Sequence, residues 1–212
     1  MLKEVNENFR KAALLLASAA RDGRYRTVLF SSAREGEGTT TATLGVARQL
    51  RDYYGMNPLI IELNQRRPAL LEMFQLDPAH SWEAMDDAGL SAKQCLQLTP
   101  GGLSVIAAHA DAAVVVEGPD IAGVLRRLLE GVGEDFDVVL IDTPPILEEA
   151  CAIGVASVVP QLILVVEARR TSYALLERVK AEVASGNLTI VGTILNKHKR
   201  YIPGWFYRWL TR

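Results

Sequence analysis

A glycine-rich segment between a predicted strand and a predicted helix constrains this chain most. It reads Ser-Ser-Ala-Arg-Glu-Gly-Glu-Gly-Thr-Thr-Thr over residues 31–41. In the pattern G-x-x-x-x-G-K-[ST], glycines let backbone N–H groups converge on phosphates, a lysine reaches the terminal phosphates, and a hydroxyl binds magnesium. Thr39 stands where that pattern has its lysine. The segment therefore predicts a phosphate-binding loop without its usual cation.

Segments that favour strands alternate with segments that favour helices along the chain. Apolar, β-branched runs predict strands at 26–32, 58–63, 103–107, 136–141, 162–166 and 189–195. Helical periodicity and capping signals predict helices at 5–20, 40–53, 68–74, 82–87, 120–130 and 171–184. This alternation predicts an α/β fold in which a mostly parallel sheet carries helices on both faces.

Length and composition favour one domain and argue against several classes of function. The 212 residues suffice for a single α/β core, and no stretch has the composition of an interdomain linker. The formal net charge is -2, so we expect no nucleic-acid partner. Cys95 and Cys151 lack metal-ligand spacing, as expected for a reducing cytoplasm. Residues 12–20 imitate a signal peptide, but Glu4 and Glu7 before them argue against export.

Polar residues follow the carboxyl ends of four predicted strands. They are residues 33–39, residues 62–64, residues 142–145 and Asn196. Ligands bind beyond the carboxyl ends of parallel strands, so the four clusters predict one shared site. Asp142 follows a fully apolar strand and can hold magnesium directly or through water. The alternative for Asp142 is a structural role as a helix cap.

The glycine segment has two other interpretations. The simplest is a flexible turn between a strand and a helix. Gly36 and Gly38, with the acid Glu62 at the end of the next strand, also resemble a dinucleotide-binding fingerprint. The third glycine of that fingerprint is absent, and three threonines crowd the start of the helix, which favours the phosphate-binding loop.

Together these motifs resemble the bacterial tyrosine kinases of capsule and exopolysaccharide export, within the wider group of MinD/ParA-like partition and cell-division ATPases. Residues 32–40 resemble the family's S-x-x-P-G-E-G-K-[ST] loop, and residues 59–68 resemble its second motif, L-I-D-x-D-x-R-x-P. Residues 136–147, Phe-Asp-Val-Val-Leu-Ile-Asp-Thr-Pro-Pro-Ile-Leu, are the most specific match, to the third motif. The resemblance spans nearly the whole chain and implies the P-loop NTPase fold.

The resemblance also implies ATP and Mg²⁺ as ligands and assigns residues to them. The nucleotide-binding residues of the loop would be Arg34, Glu35, Gly36, Glu37, Gly38, Thr39, Thr40 and Thr41. Thr40 and Asp142 would hold magnesium, and Asn196 would read adenine. Glu62 would orient water or the metal.

Both ends of the chain carry features that imply assembly and docking. Glu7-Asn8-Phe9-Arg10 resembles the family's E-x-x-R-x-x-R helix, so residues 1–25 imply homo-oligomer assembly through Glu7 and Arg10. Residues 197–212 form an aromatic and basic tail that suits a membrane interface, a partner groove or the chain's own sheet edge. The implied location is cytoplasmic, at the inner face of the cell membrane through the tail or a partner. That partner would be a membrane chain-length, polysaccharide-export or glycosyltransferase protein.

The departures from the family pattern fall on charged positions. Thr39 replaces the loop lysine, Glu62 and Asn64 replace two aspartates, and Tyr201 and Tyr207 alone remain of a tail tyrosine cluster. A charge-assisted hydrogen bond contributes about 1.5–3 kcal/mol, so triphosphate binding should weaken roughly ten- to a hundredfold. Cations on the transferred phosphoryl group are worth about a thousandfold in rate. We therefore predict a pseudokinase-like regulator of exopolysaccharide or capsule biosynthesis that binds ATP weakly with little catalysis.

Two alternative functions remain open. Arg34 occupies the loop position of the signature lysine in the wider ATPase group, and a guanidinium there can bind phosphate bidentately. The chain would then be an active tyrosine autokinase or ATPase with Glu62, Asp142 and Arg34 as catalytic residues. A solvated surface arginine is the simpler interpretation of Arg34. The second alternative is a nucleotide-free interaction module for a membrane polysaccharide-synthesis partner.

Overall fold

The computed structural model describes residues 7–109 and 119–197. Three parts of the predictions lie outside these residues. They are the first six residues of the assembly segment, the tail beyond Lys197, and the tail tyrosines Tyr201 and Tyr207.

Strands and helices alternate along the described residues, as the sequence predicts. The strands are β1 (Thr27–Ser32), β2 (Pro58–Glu62), β3 (Gln97–Leu98), β4 (Ser104–Ile106), β5 (Val138–Asp142), β6 (Gln161–Glu167) and β7 (Thr189–Asn196). The α-helices are α1 (Glu7–Arg21), α2 (Thr39–Tyr54), α3 (Leu70–Phe74), α4 (Ala84–Asp87), α5 (Pro119–Val132), α6 (Cys151–Gly154) and α7 (Tyr173–Ser185). Short 3₁₀ helices span Pro78–His80 and Gly133–Asp135.

The seven strands form one sheet in the order β3-β4-β2-β5-β1-β6-β7. Every neighbouring pair is parallel except β3 with β4, so the predicted mostly parallel sheet is confirmed. β1 lies between β5 and β6, and the register pairs Phe30 with Asp142. Glu62 of β2 is also paired with Asp142. The end of β5 therefore lies beside both the glycine loop and the end of β2.

Two apolar cores cover the two faces of the sheet, because successive residues of a strand point to opposite faces. In β1, Phe30 packs in the core that contains Leu16 of α1 and Leu50 of α2. Its neighbour Leu29 packs in the other core, with Leu125 of α5 among its members. Strands covered on both faces are nearly all apolar, which is the pattern the sequence shows.

The sequence did not predict the antiparallel edge strand β3, the one-turn helix α6 or the two short 3₁₀ helices. β3 has two residues and α6 has four, and elements this short carry no usable periodicity. Across both described ranges, none of the helices combines the length and apolar character needed to cross a bilayer.

Helix α1 approaches α2 closely at Gly45. A Cβ atom built on Gly45 would lie 2.2 Å from Cδ2 of Phe9, so a larger residue forces the ring or the helix to move. The four residues that resemble the family's assembly motif thus include one that fixes α1 on its own domain.

We expect Gly45→Ala to lower the free energy of unfolding by about 1–2 kcal/mol, because overpacking outweighs the gain in helix propensity. Gly123→Ala is a matched control in α5, since a Cβ there meets nothing within 4 Å. That variant should be more stable than the wild type by up to about 1 kcal/mol. Urea denaturation measures both changes. Equal stability changes in the two variants would contradict a tight α1–α2 contact.

Candidate functional site

The loop between β1 and α2 has the backbone of a phosphate cradle. Gly36 and Gly38 have φ angles of +78° and +92°, which side-chain-bearing residues rarely adopt. A Cβ on Gly38 would also lie 2.3 Å from Nδ2 of Asn196. Gly38 precedes the first residue of α2, and no side chain in the described part of the chain caps that helix. Its first N–H groups are therefore available to an anion, which helix N-termini favour.

The carboxylate of Glu37 is folded into the loop itself. Its side chain is 2% exposed, and Oε2 accepts hydrogen bonds from the N–H groups of Ala33 and Arg34, at 2.9 and 3.3 Å. Oε1 accepts from the Thr171 hydroxyl at 2.5 Å. Glu37 was predicted among the nucleotide-binding residues. The structure places its side chain inside the loop, and a contact of Glu37 with a nucleotide stays a prediction.

Thr40 and Asp142 meet at the metal end of the predicted site. The Thr40 hydroxyl donates to Oδ2 of Asp142 at 2.6 Å, whereas the buried Oδ1 has no hydrogen-bond partner among the described residues. Burial raises the pKa of Asp142 to about 7. An unpartnered carboxylate oxygen beside a hydroxyl is the donor set that Mg²⁺ prefers. The helix after β5 begins only at Cys151, so Asp142 does not cap it.

Asn196 and Lys197 bind the other side of the loop, at the end of β7. Nδ2 of Asn196 donates to the carbonyl of Glu37 at 2.9 Å. Nζ of Lys197 donates to the carbonyl of Gly36 and also to Oε2 of Glu167, the latter at 3.2 Å. The predicted adenine-reading residue is therefore brought to the loop, with its amide N–H already engaged. Whether it also reads adenine stays a prediction.

Comparisons with known proteins show which class of protein the chain is similar to. No family model matches the chain. Over 209 residues the chain is 25% identical to the tyrosine-protein kinase YwqD of Bacillus subtilis strain 168, covering 92% of this chain and 84% of that protein. The chain resembles bacterial tyrosine kinases. The resemblance inferred from the motifs is thereby confirmed.

Solved structures confirm the P-loop NTPase fold. The chimerical protein CapA2B2 matches with a TM-score of 0.76 and 17% identity, over 91% of this chain and 84% of that one. The kinase domain of the Escherichia coli tyrosine kinase ETK matches with a TM-score of 0.72 and 19% identity, over 92% and 80%. Cobyrinic acid a,c-diamide synthase of Mycobacterium smegmatis, solved with a bound ATP analogue and magnesium, matches with a TM-score of 0.68 and 17% identity, over 88% and 78%.

Glu62 of this tyrosine-kinase-like chain is fully buried and already bonded. Oε1 accepts from the N–H groups of Ala69 and Leu70 at 2.7 and 3.3 Å, and Oε2 accepts from that of Ala108 at 3.3 Å. Burial, with a smaller contribution from the charge of Asp142, raises the pKa of Glu62 to about 8. These bonds tie the segment after β2 to the end of β4. Both oxygens of Glu62 are engaged in these bonds. A catalytic role for Glu62 stays a prediction.

The loop residues that could place a cation or a hydroxyl beside the phosphates are exposed or partly exposed. Thr39 is the first residue of α2 and is half-buried, between Gly38 and Thr40. Arg34 is exposed. Thr41, which follows Thr40 in α2, is exposed as well. The sequence predicted phosphate contacts for all of them. The structure places them around the loop, and their contacts with a nucleotide stay predictions.

An ion pair and two hydrogen bonds join the glycine loop, the segment after β2 and Glu148. Arg67 pairs with Oε1 of Glu35, and the N–H group of Glu35 donates to Oε1 of Glu148 at 3.2 Å. Asn64, where the family has an aspartate, accepts from the N–H group of Arg67 at 3.2 Å. The carboxylate of Glu35 joins the loop to the segment after β2, and its predicted contact with a nucleotide stays a prediction.

The predicted assembly residues have partners within the chain. Glu7 pairs with Lys11 at 3.2 Å, and the guanidinium of Arg10 lies 5.4 Å from the centre of the Tyr53 ring. Both contacts lie on the exposed side of α1 and α2. Assembly through Glu7 and Arg10 therefore stays a prediction.

Sequence reasoning missed three residues at the loop: Thr171 and Lys197, which bond to it, and Glu167, which pairs with Lys197. Glu167 and Thr171 lie at and just after the end of β6, which is a fifth strand end on the same edge of the sheet. The rule that ligand sites lie at strand ends, applied to β6, would have found them. Lys197 was grouped with the basic tail because its neighbours in sequence are basic.

Proposed function

We propose that this chain binds ATP with magnesium at the glycine loop. The observation that carries the proposal is the buried Oδ1 of Asp142, which has no hydrogen-bond partner within residues 7–109 and 119–197 and lies beside the Thr40 hydroxyl in the first turn of α2. A buried carboxylate oxygen without a partner is costly, and a bound cation removes that penalty. Magnesium, when bound, neutralises charge on the terminal phosphates.

The chain's own residues would divide the remaining tasks. The first N–H groups of α2 would bind the phosphates, and Gly36 and Gly38 allow the loop to come close to them. Glu37 holds the loop in shape from inside. Glu62 fixes the segment that bears Asn64 and Arg67. No lysine follows Gly38, so the terminal phosphates lack their usual counter-charge.

We propose further that the chain is a weakly active or inactive relative of the tyrosine kinases and regulates exopolysaccharide or capsule biosynthesis. The missing cation supports weak catalysis, since phosphoryl transfer depends on charge neutralisation. The similarity to YwqD, named a tyrosine-protein kinase, supports the kinase-like class. The polysaccharide pathway, a cytoplasmic location and a membrane partner follow from the motif resemblance.

Isothermal titration calorimetry with ATP and MgCl₂ tests the binding proposal. We expect a dissociation constant between micromolar and millimolar, and at least tenfold weaker binding in Asp142→Ala. Asp137→Ala is the matched control, because Asp137 precedes the first residue of the same strand and lies at its opposite end. No heat at millimolar ATP would contradict the proposal and leave the nucleotide-free interaction module.

Incubation with γ-labelled ATP tests the proposed weak catalysis. We expect little label on Tyr201 or Tyr207 in the wild-type protein. Brisk labelling that Arg34→Ala abolishes would show instead that Arg34 supplies the cation and that the chain is an active kinase.

A further inference from the structure

Lys197 lies across the glycine loop rather than away from it. Its Nζ is anchored by the carbonyl of Gly36 and the carboxylate of Glu167, and its Cε lies 4.0 Å from where a Cβ on Gly38 would be. The backbone of Lys197 has a φ of +54°, in the left-handed region that few lysines occupy. This conformation follows the end of β7, where the side chain returns over the loop.

We propose that the aliphatic stem of Lys197 is the surface on which the base of the nucleotide lies. The inference rests on the proposed function and names a positioning residue for the end of the ligand that the phosphate loop does not hold. It assigns to Lys197 an apolar contact and not a phosphate contact.

The order of the strands indicates that the base lies on the β6 and β7 side of β1. Magnesium coordinates the terminal phosphates, and its proposed ligands Thr40 and Asp142 lie on the β5 side of β1. The base is at the opposite end of a nucleoside triphosphate, so it extends away from β5. β6 and β7 lie on that other side, where Asn196 ends β7 and Lys197 follows it.

The ammonium group of Lys197 is already engaged by two acceptors. Its ammonium group donates to a carbonyl and to a carboxylate, and the same Glu167 oxygen accepts from Arg170 at 3.2 Å. An ammonium held by these acceptors is directed at the loop's carbonyl side, whereas phosphates bind at its N–H side. What remains for a ligand is the methylene stem, which lysines commonly lay along apolar surfaces.

Two variants separate the stem from the charge. Lys197→Ala removes both, whereas Lys197→Met keeps a stem of similar length and removes the charge. Calorimetry in the presence of magnesium uses two probes: ATP, and inorganic tripolyphosphate, which has no base. Lys180→Ala is the matched control, because Lys180 is an exposed lysine of α7 that pairs with Glu177.

We expect Lys197→Ala to weaken ATP binding about tenfold, from the contact area of one lysine stem, and tripolyphosphate binding less than twofold. Lys197→Met should stay within about threefold of the wild type for ATP, and Lys180→Ala should change neither affinity. Equal losses for both probes in both Lys197 variants would overturn the inference and make Lys197 a phosphate-binding cation. Unchanged ATP affinity in Lys197→Ala would overturn it too.

The failure of this inference is distinguishable from the failure of the proposed function. If the wild type binds ATP and Asp142→Ala weakens it, but Lys197→Ala does not, only the role of Lys197 is wrong. If the wild type binds no ATP at millimolar concentration, both are wrong. Circular dichroism of each variant checks that the fold is intact before the affinities are compared.

Discussion

Thr39→Lys is expected to tighten the binding of ATP with magnesium roughly ten- to a hundredfold, because it restores a charge-assisted hydrogen bond to the terminal phosphates. The position can accept the longer side chain. Thr39 is half-buried at the start of α2, and its carbonyl accepts from the Thr43 hydroxyl at 3.0 Å. That bond does not depend on the side chain at position 39.

Thr39→Gln is the matched control for this variant. Glutamine is long and polar but carries no charge, so we expect its ATP affinity to stay within about threefold of the wild type. Calorimetry with ATP and magnesium measures all three proteins. Equal tightening by lysine and glutamine would contradict the role of charge. Unchanged affinity in Thr39→Lys would show that another group already supplies the cation.

Arg34 is the residue that would explain such an unchanged affinity. Its side chain is exposed on the loop, and its N–H group is held by Glu37. If Arg34 supplied the cation, Arg34→Ala would weaken ATP binding in the wild type but much less in the Thr39→Lys background. Additive effects in the double variant would instead show that the two positions act independently.

Turnover should rise more than affinity in Thr39→Lys, because charge on the transferred group is stabilised most in the transition state. Labelling of the protein with γ-labelled ATP gives this measurement. An affinity gain without a gain in labelling would place the catalytic deficit at Glu62 and Asn64, the other two positions that depart from the family pattern. Both lie in or just after β2, on the far side of Asp142 from the loop.

The parts of the fold that the sequence predicted are those set by local patterns. Apolar runs such as residues 136–141 mark central strands, because both faces of a parallel sheet are covered. Thr40 and Asp142 were placed together by the resemblance of residues 32–40 and 136–147 to the family motifs, and the rule that the ends of parallel strands share an edge is consistent with their contact. These residues are 102 positions apart, with Asp142 at the end of β5 and Thr40 in the first turn of α2.

The parts that sequence reasoning missed depend on where a side chain turns. Glu37 and Thr171 are 134 residues apart, and nothing in the Gly-Glu-Gly pattern tells whether the carboxylate faces a ligand or the loop. The direction of Lys197 depends in the same way on its left-handed backbone, which no propensity predicts for a lysine. The fold followed from periodicity, whereas the direction of each polar side chain required the tertiary structure.

The ligand-free protein is expected to lose stability as the pH rises from about 4 to about 8. Burial raises the pKa of Asp142 from 3.8 to about 7, and burial with the neighbouring Asp142 charge raises that of Glu62 from 4.5 to about 8. The folded state therefore retains protons that the unfolded chain releases, so its relative stability falls across this window. At 1.36 kcal/mol per pKa unit, Asp142 alone accounts for about 4 kcal/mol. Urea denaturation at several pH values measures the slope.

Asp142→Asn should remove much of this slope and be more stable than the wild type at pH 8, by up to about 4 kcal/mol, because the amide needs no proton to stay uncharged. Asparagine keeps a side-chain oxygen that can accept the hydrogen bond from the Thr40 hydroxyl, so we expect the fold to be unchanged. Asp137→Asn is the matched control, because Asp137 is exposed and immediately precedes β5. This variant should keep the wild-type dependence of stability on pH. A wild-type stability independent of pH, or an Asp142→Asn variant less stable at pH 8, would contradict the assignment.

The same variant separates a structural carboxylate from a metal ligand. Magnesium with ATP should stabilise the wild type more at pH 8 than at pH 5, since the cation binds the ionised carboxylate and not the protonated one. In Asp142→Asn this ligand-dependent gain should disappear at both pH values while the ligand-free stability rises. A residue retained for packing alone would show the second change without the first. If Asp142 lowers the stability of the ligand-free protein but is needed for stabilisation by magnesium and ATP, it is a metal ligand and not only a structural residue.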